Sequence, residues 1–397
     1  MLRYLRRFFG VVFFPTLAAS QQPLRLQKPE ATYPEPFTFI ASIREVPDGR
    51  VLVLDRRDRI VLLIDFKSGK AVSVGREGTG PGEFMQPGRL FAFSPDTTAI
   101  YDGPSRRFVL VGPDGKAGDA VRFDLATGAG GRRGGVPRAN DAHGRIFTEG
   151  SPYAVGELRA ADSAAITRFA RGASKGDTLA YVHLDKETIT VRTLPGGGAS
   201  VANGVRAFAS RDDWVALPDG GVAVVRVADY HIDWYSPLGA HTAGPRVIID
   251  KVPVTAADQE RSKKERLAAM QSAMPRNGNA AAGTPIDMQG LPELTFPPFK
   301  PPFEVGNTFA RPNGEVWVLR SRQARDPVAI YDVFTRTGGL IGRVELPPST
   351  RLVGFGSDKL YTVRLDDDLL WDRTEQGGFP ELSRLKQLVR DAGVCRC

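Results

Sequence analysis

The chain has 397 residues, of which 43 are Gly and 30 are Pro. Turn formers thus make up roughly 18 % of positions, against about 12 % in average usage. Hydrophobic residues at 42 % and charged residues at 25 % exclude a disordered or collagen-like chain, and two cysteines exclude a disulfide scaffold. The formal net charge is +8; with no Lys/Arg run interleaved with aromatics, it points away from a nucleic-acid partner.

The first residues read as an export signal. Arg3, Arg6 and Arg7 precede an apolar stretch from Phe8 to Ala19, and Ala18-Ala19-Ser20 supplies small residues for cleavage. About a dozen apolar residues are too few to span a bilayer, which needs about 20. Residues 1–20 are therefore expected to be a signal peptide, leaving a periplasmic or secreted protein with no transmembrane span. Its net charge would be +5, because the segment carries three Arg and no acid.

From residue 37 onwards, short runs of apolar residues alternate with turn signals. Arg50–Leu54, Ile60–Ile64 and Ala71–Val74 are the first such runs, each of strand length and strand period. The turns repeat as well. Val46-Pro47-Asp48-Gly49, Ser94-Pro95-Asp96-Thr97, Leu217-Pro218-Asp219-Gly220 and Arg311-Pro312-Asn313-Gly314 each open a hairpin, with weaker copies at Asp141–Gly144 and Gly356–Asp358. A second hairpin follows most of them, at Lys67–Gly69, Pro113–Gly115, Pro237–Gly239 and Thr337–Gly339. Two successive hairpins make a four-stranded unit, and such units repeated radially form a β-propeller. The predicted fold is all-β: a six-bladed propeller of four-stranded antiparallel blades over residues 37–374. Residues 21–36, with Leu24–Gln27 as the strand, are expected to close the last blade.

The stretch Gly75-Arg76-Glu77-Gly78-Thr79-Gly80-Pro81-Gly82-Glu83-Phe84, preceded by Asp48–Asp55 and Arg59-Ile60, resembles the NHL repeat. Asp219–Arg226 with Tyr230, and Gly354–Gly356 with Tyr361–Arg364, are similar to exported six-bladed propellers of soil bacteria. The resemblance implies six blades. The glycines are assigned to a tight crossing between blades, with Phe84 plugging the core there, because no Gly-Lys-Ser/Thr leads into a helix as a phosphate loop requires.

Residues 251–303 interrupt the repeat between the fourth and fifth units. Thr255 and Asp258 form a helix-capping pattern, residues 256–274 read as helix, and Phe296-Pro297-Pro298-Phe299-Lys300-Pro301-Pro302-Phe303 favours an extended segment. The insertion is expected to serve as a lid, a docking strip or a tether. In the C-terminal tail, 375–397, Leu382, Leu385 and Val389 follow helical spacing, and Cys395 and Cys397 end the chain as a C-x-C.

Counting six residues from each first turn finds Asp55, Asp102, Glu149, Arg226, Arg320 and Arg364 at equivalent strand ends. These six are the candidate ligand-binding residues, three acids facing three arginines around the channel mouth. The competing reading is that each pairs with a neighbour and closes a seam. His143, His183, His231 and His241 occupy unrelated positions and are not expected to converge, and no G-x-S-x-G elbow is present. No catalytic set, metal or cofactor is therefore expected. The expected function is an exported, non-enzymatic, monomeric propeller that binds a protein, an anionic small molecule or a polysaccharide through its loop face. The alternative is a metal-assisted lactonase or lyase with its site at the channel mouth.

Overall fold

The computed structural model describes residues 22–27, 29–123, 135–150, 161–173, 175–185, 189–193, 199–203, 206–273, 294–336, 338–365 and 381–386. The expected signal peptide and the C-x-C end lie outside the described residues.

Strands β1 (Leu24–Arg25) and β2 (Ala31–Pro36) precede a sheet of β3 (Ile40–Glu45), β4 (Val51–Asp55), β5 (Ile60–Asp65) and β6 (Lys70–Ser73). The parallel pair β7 (Arg76–Glu77) and β8 (Glu83–Phe84) leads into β9 (Pro87–Ala92), β10 (Thr98–Asp102), β11 (Arg107–Val111) and β12 (Ala117–Val121). The next sheet holds β13 (Pro137–Asn140), β14 (Ile146–Glu149), β15 (Ser163–Phe169) and β16 (Asp177–His183). A separate hairpin, β17 (Ile189–Thr193) with β18 (Ala199–Asn203), stands before β19 (Asp213–Ala216), β20 (Val222–Arg226), β21 (His231–Tyr235) and β22 (His241–Ala243). After helix α1 (Ala256–Ala273) come β23 (Phe303–Ala310), β24 (Val316–Arg320), β25 (Ile330–Phe334) and β26 (Leu340–Glu345), then β27 (Thr350–Phe355), β28 (Lys359–Arg364) and β29 (Glu381–Lys386). Five sheets have four strands, and β23–β26 take β1 as a fifth. The molecule is an all-β propeller of four-stranded antiparallel blades.

The recurrent turns explain why the units are alike. Gly49, Gly220 and Gly314 sit at φ of 84°, 93° and 87° in the first hairpins of three sheets, a region open to glycine at little cost. The residue before each glycine fastens the turn. Asp48, Asp219 and Asn313 accept the backbone N–H two residues on at 3.0, 3.1 and 3.0 Å.

Each sheet buries its faces against its neighbours. Leu52, Leu54 and Leu63 of the first sheet share a core with Leu90, Ile100 and Val109 of the second; Phe91 and Phe108 meet Ile146, and Phe147 and Ile166 meet Trp214 and Val224. Val225 and Ile232 meet Val316 and Phe334, and Trp317 and Tyr331 meet Leu352 and Leu360. Tyr361 and Val363 of the last sheet then pack on Ile40, Val51 and Ile64 of the first, which closes the ring. The first strands face the axis: β3 contacts β9 and β27, β9 contacts β13, and β19 contacts β13 and β23.

Two expectations are corrected. Leu24–Gln27 does not close the last sheet: β1 pairs in parallel with β26, held by Leu26 N–H donating to the Glu345 carbonyl at 2.9 Å and by burial of Leu26 among Trp317, Tyr331 and Val344. The partner of the last sheet is β2, whose Tyr33 packs with Phe37 and Tyr361. The tail read as helical instead supplies β29, sandwiched between β28 and β2. Six residues make a marginal helix in water, whereas two open strand edges offer a full ladder of backbone hydrogen bonds.

The 75–84 crossing is built as its glycines suggest. A Cβ on Gly75 would stand 2.7 Å from the Phe84 ring, and Glu83 accepts the Gly80 N–H at 2.7 Å. Phe84 is 2 % exposed in the core shared by the first two sheets. Phe84→Ala should cost about 3–5 kcal/mol, as large cavities in aromatic cores do, read as a fall in the urea midpoint with an unchanged slope.

Candidate functional site: strand-end seams and a central cavity

The six strand-end residues sit where counting places them, but five are occupied within the protein. Asp55 is fully buried; one oxygen accepts the N–H groups of Thr38 and Phe39 at 2.6 and 2.9 Å, the other those of Arg57 and Asp58 at 2.9 and 3.2 Å. Asp102 repeats this in the second sheet with Met85 and Gln86 at 3.1 and 2.9 Å. Both tie the end of a second strand to the loop that enters the same sheet.

From the third sheet on, arginine–carboxylate pairs replace the backbone links. Glu149 accepts from Arg138, from Arg211 at 2.5 Å and from the Trp214 indole at 2.7 Å. Burial alone would raise its pKa, but the charges of Arg138 and Arg211 outweigh it and hold the carboxyl below its ordinary value. Arg226 donates to Asp233 at 2.6 Å, Asp212 at 2.7 Å and the Tyr235 hydroxyl at 2.9 Å. Arg320 donates to Asp332 at 2.8 Å, and that fully buried carboxylate also accepts from the Tyr230 hydroxyl at 2.7 Å and from Arg343 at 3.3 Å. Arg364, at the end of β28, is exposed. The seam reading therefore describes five of the six.

His231 and His241, expected to stay apart, converge. Nε2 of each lies near one oxygen of Asp233, at 3.4 and 2.9 Å, because adjacent strands β21 and β22 bring them together. Among the described residues no group of three or more His, Cys, Asp or Glu stands where it could hold a metal ion.

A cavity of about 540 Å³ opens elsewhere, between α1, the 321–329 loop and the start of β3. None of the six strand-end residues lines it. Its floor is apolar, with Phe303, Leu319, Tyr331 and Val363, and its charged wall carries Arg261, Lys300, Arg322 and Arg351 against Glu265 and Glu304. Arg322 and Glu304 are 4.0 Å apart; Arg322 Nη1 and Arg351 Nε are buried with no hydrogen-bond partner among the described residues. Burial raises the pKa of Glu304 above 4.5, against the pull of Arg322, Lys300 and Arg261 and with a push from Glu265. Its side chain is 36 % accessible, and as a lining residue it meets solvent in the cavity.

The insertion supplies one wall. Asp258 accepts the N–H and hydroxyl of Thr255 at 2.8 and 2.6 Å, which is the capping pattern read in the sequence. Its other oxygen accepts the Ala324 N–H at 2.6 Å and meets Lys300 Nζ at 2.7 Å. Arg261 donates to the Ala324 carbonyl at 2.9 Å. Helix α1 is thus pinned to the 321–329 loop, and its Arg261 and Glu265 line the cavity.

The strand-end count missed this site because Arg322 lies two residues beyond Arg320, Lys300 belongs to the interruption, and Glu304 stands at the start of β23 rather than at the end of a second strand. Lys300 within the proline–aromatic run and Glu304 directly after it were the available signal.

The Rdx family matches residues 329–391, a stretch that contains β25 to β29. A comparison with curated proteins finds no match in sequence. Solved structures resemble the chain at low identity. A candidate exported protein from Bacteroides fragilis is 12 % identical, with 91 % of this chain and 94 % of that one covered and a TM-score of 0.44. A gluconolactonase from Xanthomonas campestris is 14 % identical over 91 % and 95 %, with a TM-score of 0.41. The calcium-binding regucalcin of Agrobacterium tumefaciens is 14 % identical over 91 % and 95 %, at 0.37.

Removing a partner from a buried charged cluster leaves the others uncompensated. Asp332→Ala should cost about 3–5 kcal/mol in denaturant unfolding. Glu149, with its depressed pKa, contributes stability above pH 4.5 that is lost as pH falls through its folded value; Glu149→Gln should flatten the acid limb of a stability-versus-pH curve.

Proposed function

We propose that the protein is an exported ligand-binding propeller that holds a small amphiphilic anion in the cavity beneath helix α1. We read the five-stranded sheet as a blade with one added strand, a six-bladed reading that the resemblance to NHL repeats supports. No helix among the described residues is long and apolar enough to cross a membrane, and the arginine-led apolar N-terminus supports export.

The observation that carries the reading is the charge of the cavity wall: four cations face two acids, and two of the arginines keep an N–H without an acceptor. An unmet buried charged donor is costly, and a carboxylate, sulfonate or phosphate would relieve it. The apolar floor suits a hydrocarbon or aromatic body. Glu304 sets the conditions. It faces Arg322, Lys300, Arg261, Glu265, Tyr331 and, across the cavity, Arg351. Protonated, it admits a second negative group; ionised, it repels one.

The alternative is a metal-assisted lactonase or lyase at the channel mouth. Asp55, Asp102 and Glu149 would be its carboxylates, and each is engaged by N–H donors, so a cation would have to displace them. Bound Ca²⁺ or Zn²⁺ in chelator-free protein, together with lactone hydrolysis, would favour that reading.

An aryl sulfonate, whose charge does not titrate, is the direct probe. Calorimetry should give saturable one-to-one binding that weakens as pH rises through the titration of Glu304. Glu304→Gln should remove the pH dependence, and Arg322→Ala should weaken binding by about tenfold or more. Binding unchanged in Arg322→Ala, or absent at every pH, overturns the proposal.

A further inference from the structure

Two phenylalanines line the cavity from elements that supply none of its charged wall. Phe39 stands in the approach to β3 and is 41 % exposed, although Phe37 and Ile40 on either side of it are buried. The guanidinium groups of Arg56 and Arg351 lie 5.2 and 5.6 Å from its ring centroid. The ring thus keeps company with cations and open space rather than with the core.

Phe208 comes from the loop that enters the fourth sheet, and its backbone is strained. Its φ is 54°, in the left-handed region that bulky residues avoid. Anchors on both sides hold it there: Ala207 N–H donates to the Thr295 carbonyl at 2.9 Å, and Ser210 N–H donates to Asp185 at 2.8 Å. The ring centroid lies 6.3 Å from that of Phe296, and Lys300 Nζ lies 4.6 Å from it. Backbone strain persists only where the surroundings impose it, and it gathers at ligand clamps.

The cavity that both residues line is therefore aromatic as well as cationic. A saturated body gains only buried area in such a place. An aromatic ring gains more, because edge or offset contacts between rings add to area burial and its π face attracts ammonium and guanidinium groups. Arg351 and Lys300 each line the cavity beside one of the phenylalanines, so a ring that enters there meets a phenyl group and a cation together.

We propose that the anion held beneath α1 carries an aromatic ring, and that Phe39 and Phe208 select that ring over a saturated body. The proposal rests on the cavity reading above and narrows its ligand to an aryl carboxylate, sulfonate or phosphate. Capture of the charge belongs to the arginines, so the two contributions are separable.

The test is calorimetry on the full chain with benzenesulfonate and cyclohexanesulfonate. They carry the same charge on rings of the same size, and the saturated ring is the more apolar, so burial alone favours cyclohexanesulfonate. Benzenesulfonate should nevertheless bind about three- to tenfold tighter. Phe39→Leu and Phe208→Leu should each bring that ratio towards one, mainly by weakening benzenesulfonate. Phe39 is exposed, so its leucine variant is expected to fold even where Phe208→Leu lowers the melting temperature. Equal binding of the two sulfonates, or tighter binding of cyclohexanesulfonate, overturns the aromatic selection and leaves the anion cavity standing. A preference unchanged in every folded variant overturns it too. Binding of neither sulfonate overturns the cavity reading itself, and this proposal with it.

Discussion

A small twisted sheet with apolar side chains on both faces cannot be stable alone, and this constraint shapes the whole molecule. Each sheet needs a neighbour on either side, so the series has to return to its start. The contact that completes it is Tyr361 and Val363 against Ile40, Val51 and Ile64, joining residues some three hundred positions apart. Strand β2 reinforces that junction by pairing with β29 beyond β28, so that both ends of the chain enter the last sheet. Closure by both termini makes the apolar burial of every sheet contingent on every other.

Polar residues at the strand ends solve the same problem in a second currency. In the first two sheets a buried aspartate satisfies backbone N–H groups of the incoming loop, which would otherwise be stranded as the chain turns towards the axis. In the fourth and fifth the strand end carries an arginine, and the acid sits on a neighbouring segment, Asp212 and Asp233 for Arg226 and Asp332 for Arg320. Acid and base have exchanged places while the fastening survives. The arc of three acids followed by three arginines is thus engaged within the protein at five of its six positions.

Much of the architecture was legible in the sequence because it rests on local chemistry. Pro-Asp-Gly and Pro-Asn-Gly fix hairpins through φ > 0 at the glycine and a side-chain bond to the backbone two residues on, and the Thr255–Asp258 cap fixes a helix start. What was not legible depends on long-range competition. Leu24–Gln27 and Ala31–Pro36 both look like edge strands, and Tyr33 wins the last sheet through the aromatic cluster that awaits it. The leucine spacing in 381–386 is compatible with a helix until two unpaired strand edges are placed beside it. His231 and His241 could be brought together in thought only by knowing that a three-residue strand returns on β21. Counting along a repeat finds residues at equivalent places in the sheets, and at five of the six that place is a fastening point of the fold.

The charges that a ligand could use lie where the repeat is broken. Lys300 lies within the proline–aromatic run and Glu304 directly after it, Arg261 comes from the inserted helix, and Arg322 stands on the loop to which that helix is pinned. Asp258 couples these parts, because one carboxylate caps the helix, holds the Ala324 N–H and balances Lys300. With Lys300 matched to Asp258, Arg322 keeps only a distant carboxylate, Glu304, whose own burial disfavours its charge. The insertion thus creates an enclosed space and an excess of positive charge in the same step.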